Sequence, residues 1–295
     1  MDAGVFEQWM QQGLAEVETA LETFVPADAP AGLGETMRYA VLGGGKRLRP
    51  LLVLAACAAV SGEREAALRS ACAVELIHAY SLVHDDMPCM DNDVLRRGKP
   101  TTHVQFGEAQ AMLAGDAMQA LAFEVLTPER GVPPLLQAKL CALLARASGW
   151  AGMAGGQAID LANVGRSIDE STLRDMHRRK TGVLLQASVM MGAACGPVDA
   201  RAWQGLSEYG AALGLAFQVV DDILDVTQDS SVLGKTAGKD EDANKPTYVS
   251  VLGLEPALKL AAQLRDEAHA ALAASGLPDT LWLHLLADMV VERTN

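Results

Sequence analysis

The chain has 295 residues, half of them hydrophobic and 21% charged, which fills a large core and excludes a disordered or fibrous protein. Its formal net charge of -13 argues against a general affinity for nucleic acid or for an anionic membrane surface.

Alanine and leucine dominate and aromatic residues are 4% of the chain, so helices are expected almost everywhere. The opening MDAGVFEQWMQQ has no basic segment ahead of an apolar run, and no stretch approaches about 18 uncharged apolar residues, so neither a signal peptide nor a membrane span is expected. The first strong punctuation is GGGKRLRP at 43–50. A long helix follows over 66–86 and runs into HDDMPCMDND at 84–93, with RRGKPTTH at 96–103 behind it. Beyond the turn TPERGVPP at 127–134 and GMAGGQAIDL at 152–161, apolar residues at helical spacing predict a helix over 171–195 that carries HRRKTG. After CGPVD at 195–199 comes a helical run containing FQVVDDILD at 217–225. A polar loop at 227–246 and the break ASGLPD at 274–279 complete the pattern. With no repeat and no linker-like shift in composition, the simplest organisation is one all-helical domain over 1–295. The five cysteines, Cys57, Cys72, Cys89, Cys141 and Cys195, form no C-x-x-C pair, which points away from a disulfide framework or zinc ribbon and towards a reducing cytoplasm.

Two aspartate clusters stand out because both follow apolar runs, AYSLV and GLAFQVV, rather than a solvated face. Asp221 and Asp225 are four apart and share a helix face with like charge, an arrangement that repels unless a cation neutralises it. Hard oxygen ligands with few other donors suit magnesium. In the first cluster Pro88 prevents a regular helix, so a bulge or loop there can bring Asp91 back towards Asp85. The alternative, in which Pro88 only ends the helix and residues 91–93 are plain loop, stays open at this point.

Magnesium held by two or three carboxylates fills its octahedron with water and phosphate oxygens, so phosphate-binding cations should lie nearby. The acidic chain has compact basic groups: Lys46, Arg47 and Arg49; Arg96 and Arg97; Arg178, Arg179 and Lys180; and Lys235, Lys239 and Lys245. Arginine forks and lysine point charges together fix the pose of a diphosphate. GGGKR is not a nucleotide loop, because Ala40 replaces the required glycine and no Ser or Thr follows Lys46. No G-x-S-x-G elbow or H-E-x-x-H motif is present.

The ordered set GGGKRLRP, ELIHAYSLVHDDMPCMDND with RRGKPT, GMAGGQAIDL, HRRKTG, GLAFQVVDDILD and LGKTAGKDEDANKPTY resembles the trans-prenyl diphosphate synthases, and within them the bacterial farnesyl diphosphate synthases. The resemblance implies an all-α, single-domain isoprenoid-synthase bundle around a central cavity, usually homodimeric, that joins isopentenyl diphosphate to an allylic diphosphate. It implies two magnesium ions on Asp85, Asp86 and Asp91 and a third on Asp221, Asp222 and Asp225, with manganese a possible substitute. Arg96, Lys180 and Lys235 would grip the allylic diphosphate, with Lys245 a further substrate contact. Lys46, Arg49, His78 and Arg97 would hold isopentenyl diphosphate, and Phe217 would pack against its hydrocarbon. The Thr181 hydroxyl, the Gln218 side chain and the Lys180 carbonyl would stabilise the allylic cation, and the departed diphosphate would accept the proton. Asn92 stands where many relatives have another aspartate, and the terminal VVERTN keeps Arg293, similar to bacterial members.

Tyr80 and Ser81, five and four residues before Asp85, lie about one turn below the metal cluster at roughly 1.5 Å per residue. An aromatic floor there, with the extension that contains Pro88, resembles the pattern of C15 synthases. The rivals are a longer-chain synthase, opposed by Tyr80; a terpene cyclase, opposed by GGGKRLRP and DDILD; and a non-catalytic helical subunit, opposed by the intact aspartates. The polar loop at 227–246 is expected to close over substrate, since Lys235 and Lys239 reach phosphate only if it folds inward.

Overall fold

A computed structural model describes residues 3–166, 168–227 and 247–293. The helices are α1 (Ala3–Phe24), α2 (Leu33–Val41), α3 (Leu48–Ala59), α4 (Arg64–Asp85), α5 (Thr102–Phe106), α6 (Glu108–Leu126), α7 (Pro134–Ser148), α8 (Met153–Ala162), α9 (Glu170–His177), α10 (Val183–Ala194), α11 (Ala200–Thr227), α12 (Tyr248–Leu252), α13 (Leu254–Ser275) and α14 (Leu281–Glu292). A π-helical turn, Arg178–Gly182, joins α9 to α10, and among the described residues the extended structure is one two-residue antiparallel pair, β1 (Leu95–Arg96) with β2 (Lys99–Pro100). The all-α expectation holds. Two compact units make up the chain, Met1–Leu54 with Glu63–Cys141, and Ala55–Gly62 with Ala142–Asn295.

In the first unit α4 is the central helix, packed against α6 and α1. It is apolar on nearly every side, which is the signature of a helix surrounded by protein. Ala71, Val74, Leu76 and Ile77 on α4 and Ala111, Ala114, Met118 and Ala122 on α6 are fully buried, and each large apolar side chain so buried contributes about 1.5–3 kcal/mol. By length and mean hydropathy, 1.2 over an 18-residue window, α4 also passes for a membrane span, but 72% of that window is buried inside the protein. Its one buried acid, Glu75, is met by Arg47, which donates to Glu75 at 2.6 Å, to Glu18 at 2.7 Å and to the Val41 carbonyl at 2.6 Å. Removing one member of such a buried pair costs about 3–5 kcal/mol. Arg47 is therefore structural, although it sits among the basic residues of GGGKRLRP.

The second unit is built on α11, whose 28 residues pack against α10, α13, α14 and α12. Its core joins Leu173 and Met176 of α9, Ala216, Val219, Val220 and Ile223 of α11, Tyr248 of α12 and Ala257, Ala261 and Leu264 of α13. The helix expected over 171–195 is real but not uniform, because Arg178–Gly182 widens into a π turn. Such turns recur at functional sites, since the extra residue re-aims the side chains that follow. This one carries Lys180 and Thr181.

Candidate active site

In the first unit α4 ends at Asp85, and the loop after it turns back at once. The Asp91 N–H donates to the Asp85 carbonyl at 2.9 Å, that of Asn92 to Met87 at 3.1 Å and that of Asp93 to Asp86 at 3.1 Å, with Asn92 in the left-handed region at φ +52°. The expected return of Asp91 to Asp85 is made through the main chain, within a turn in which residues 91–93 are non-helical. Asp86 is buried and takes a two-pronged grip from Arg96, with Nε at 2.9 and 3.0 Å and Nη2 at 2.6 Å. Burial lowers the pKa of Arg96, but its hydrogen bonds with Asp86 and the charges of Asp86, Asp85 and Asp91 raise it by more.

Arg96 owes its position to the β1–β2 hairpin, whose turn residues Arg97 and Gly98 have φ of +53° and +74°, the double left-handed geometry of tight two-residue hairpins. A non-glycine residue there stores strain that the surroundings must hold. Arg97 donates to the Gly44 carbonyl. Gly45 makes room for it, since a Cβ there would lie 2.7 Å from the guanidinium. Burial holds His78 neutral, well below the ordinary histidine range, and the charges of Arg49, Arg97, Arg96 and Arg47 push it the same way. Arg49 and Arg97 of the expected set thus act electrostatically on His78, and Lys46 is exposed at its loop. One turn up α4, buried Tyr80 accepts a hydrogen bond from Gln119 of α6 at 3.3 Å and stacks edge-on to His84, while Ser81 donates to the His78 carbonyl at 2.9 Å.

In the second unit the three aspartates of α11 have different surroundings. Asp221 is 41% exposed at its side chain and pairs at 2.5 Å with Arg293, which also donates to the Phe217 carbonyl at 2.8 Å and stacks its guanidinium 4.1 Å above the Phe217 ring. Asp225 is buried. Asp222 is buried and accepts from Gln218 Nε2 at 2.9 Å and from the Tyr248 N–H at 2.7 Å. Gln218 in turn accepts from the Thr181 hydroxyl at 3.1 Å, so the three residues form one chain of hydrogen bonds. Lys180 donates to Asp160 of α8 at 2.6 Å. The helices approach this closely because position 156 is glycine; a Cβ there would meet the Lys180 main-chain nitrogen at 2.2 Å. Beside Asp160, the Gln157 amide is buried at both ends and has no hydrogen-bond partner among the described residues.

Sequence reasoning gave no role to Asp160 or His177. The visible signal for Asp160 is a lone acid on the otherwise uncharged helix GMAGGQAIDL. Lys235, Lys239 and Lys245, with all of the expected closing loop 227–246 except Thr227, lie outside the described residues.

Among the described residues no group of three His, Cys, Asp or Glu side chains is close enough to hold a metal alone. The donor sets nevertheless fit magnesium, which is bound through one or two carboxylates and completed by water and substrate phosphates. Only oxygen donors are offered, and Arg96 on Asp86 and Arg293 on Asp221 already place a cation against a carboxylate in each unit. If Arg293 occupies Asp221 in place of a metal, Arg293→Ala lowers the magnesium concentration for half-maximal activity by roughly 2- to 5-fold, the worth of a partly exposed pair. A magnesium titration of activity checks this; an unchanged or raised requirement contradicts it.

Stability should fall on acidification. Burial chiefly, and Lys180 in addition, hold His177 at about 4 against the pull of Asp160, and His78 is lowered as well. The unfolded chain protonates these groups near pH 6.5 while the native state does not, so their contribution is full above about 6.5 and falls as the pH drops below it, for His177 down to about 4. Each adds a slope of up to about 1.4 kcal/mol per pH unit in that window. Urea denaturation at pH 7.5, 6.0 and 5.0 should show a falling midpoint, and a flat profile contradicts it.

The chain matches the polyprenyl synthetase family model over residues 30–274, which spans both units. It is 46% identical over 251 residues to the farnesyl diphosphate synthase of Geobacillus stearothermophilus, covering 84% of each chain. To the chloroplastic geranylgeranyl pyrophosphate synthase of Capsicum annuum it is 44% identical over 292 residues, 98% of this chain and 79% of that one. It matches the crystal structure of the Helicobacter pylori geranyltransferase complexed with magnesium and isoprenyl diphosphate with a TM-score of 0.84 and 33% identity, over 96% of this chain and 95% of that one. Fold and acidic helices together define an all-α prenyltransferase. The chain belongs to the polyprenyl synthetase family.

Proposed function

We propose that this protein is a short-chain trans-prenyl diphosphate synthase that condenses isopentenyl diphosphate with dimethylallyl or geranyl diphosphate to give the C15 farnesyl diphosphate. The observation that carries the reading is the closure of the first acidic set: Asp91 is tied back to Asp85 beside buried Asp86, in the unit that gathers Arg96, Arg97, Arg49 and His78.

In this reading Asp85, Asp86, Asp91, Asp221 and Asp225 bind magnesium. When bound there, the metal would supply positive charge to a diphosphate leaving group. Arg96, Lys180 and Lys235 hold that leaving group, with Lys245 a further contact; Lys46, Arg49, His78 and Arg97 hold isopentenyl diphosphate, with Phe217 against its hydrocarbon. Thr181, Gln218 and the Lys180 carbonyl present oxygen to the allylic cation without a free nucleophile. Tyr80 supports the C15 assignment, because its ring is buried one turn from Asp85 and its hydroxyl is fixed by Gln119. The protein works as a homodimer in a reducing cytoplasm, in keeping with its five free cysteines.

A C20 product is the second reading, favoured by likeness to the geranylgeranyl synthase of Capsicum annuum. Chromatography of the dephosphorylated products from geranyl and isopentenyl diphosphates separates the two. Farnesol as the main product supports the proposal, and geranylgeraniol replaces it with the second reading.

A further inference from the structure

We infer that Asp222 is a positioning residue that sets the orientation of the Gln218 amide, and is not a magnesium ligand as its place in DDILD suggests; the inference rests on the reaction proposed above. Successive helix residues project about 100° apart, so Asp222 points well away from Asp221, while it lies about 60° from Asp225. The surroundings separate Asp222 from Asp221: the Asp221 side chain is 41% exposed and that of Asp222 is 3% exposed; Asp222 differs from buried Asp225 in its bond to Gln218. Asp222 is turned into the protein, where the Tyr248 N–H donates to Oδ2 at 2.7 Å, His177 Nε2 stands 3.9 Å from the same oxygen, and Gln218 Nε2 donates to Oδ1 at 2.9 Å.

The chemistry of the chain of bonds then follows from its end. A carboxylate has only acceptors, so the amide group that meets it is the NH2. The carbonyl oxygen of Gln218 is left facing Thr181, where it accepts the hydroxyl proton at 3.1 Å. With its proton committed to Gln218, Thr181 keeps oxygen lone pairs for a cation, and linked hydrogen bonds polarise that oxygen further. A reversed amide would offer N–H to Thr181 instead, draw on those lone pairs and release the hydroxyl proton. Asp222 excludes the reversed amide.

Asp222→Asn keeps an acceptor for Tyr248 but sets NH2 against NH2, so Gln218 turns over. Gln218→Glu breaks the same link from the other end. Each is expected to lower kcat about 10- to 100-fold, the loss for a hydrogen bond to a charged group, with half-saturating magnesium within 2-fold of wild type. The double variant D222N/Q218E restores this chain of bonds: the new amide at position 222 donates to the new carboxylate at position 218, that carboxylate accepts from Thr181, and Tyr248 keeps its acceptor. It should turn over at least about 3-fold faster than the worse single variant. Asp221→Asn, the control for a true ligand, should raise the magnesium requirement 10-fold or more.

The inference is overturned if D222N shifts the magnesium requirement as D221N does, or if the double variant is no better than the worse single one. Wild-type enzyme in the same assay separates the two levels, since absence of condensation there defeats the reaction and not the positioning. In that event, or if D222N folds poorly, melting temperatures decide. Both single variants should melt below wild type and the double variant should recover, and no recovery overturns the inference.

Discussion

Asp85→Ala is expected to lower turnover by roughly 10³-fold while leaving the fold intact. Removing one group that stabilises charge in a transition state costs about 10²–10³, and Asp85 is proposed as a metal ligand beside a second acid already committed to Arg96. Its half-buried side chain is not what folds the loop. The bond that returns Asp91 to it uses the Asp85 main-chain carbonyl, which alanine keeps. Steady-state kinetics with saturating magnesium and a thermal melt check both halves. Activity within 10-fold of wild type removes Asp85 from the metal site, and a collapsed melt makes its role structural.

Tyr80→Ala should change the product more than the rate. The ring is buried on α4, held by Gln119 and packed on His84, so its removal opens space one turn from the first acidic set. A buried aromatic lost to alanine costs about 3–5 kcal/mol, less where the side chain is only partly enclosed. Products of C20 and above should then exceed C15. Ser81→Phe is the converse, filling the adjacent position and moving the main product to C10. Product chromatography reads both, and C15 from both variants means that the floor of the pocket lies elsewhere.

Much of the fold was legible because helical spacing, glycine and proline breaks and the lack of alternating β-branched runs all agree. The Asp91 return was legible because Pro88 removes a donor and a helix cannot continue through it. The β1–β2 hairpin was not, since two residues per strand leave no pattern and Arg97 adopts a backbone conformation that its residue type disfavours. The π turn was hidden for a related reason: a single extra residue hardly disturbs the apolar spacing over 171–195. Sequence also treats DDILD as three equal acids. Their division into an exposed partner of Arg293, a buried acid and the anchor of Gln218 depends on Tyr248 and Arg293, which lie far along the chain. The pairing of Lys180 with Asp160 was obscured in the same way, by the distance between GMAGGQAIDL and HRRKTG.

The most direct test of the account is incorporation of isotopically labelled isopentenyl diphosphate into acid-labile allylic product, with geranyl diphosphate as partner and purified protein, with and without magnesium. The account predicts turnover with magnesium, loss of turnover in chelator and its return when magnesium is restored. No incorporation by folded wild-type protein at saturating magnesium and both substrates would contradict it and favour a non-catalytic subunit.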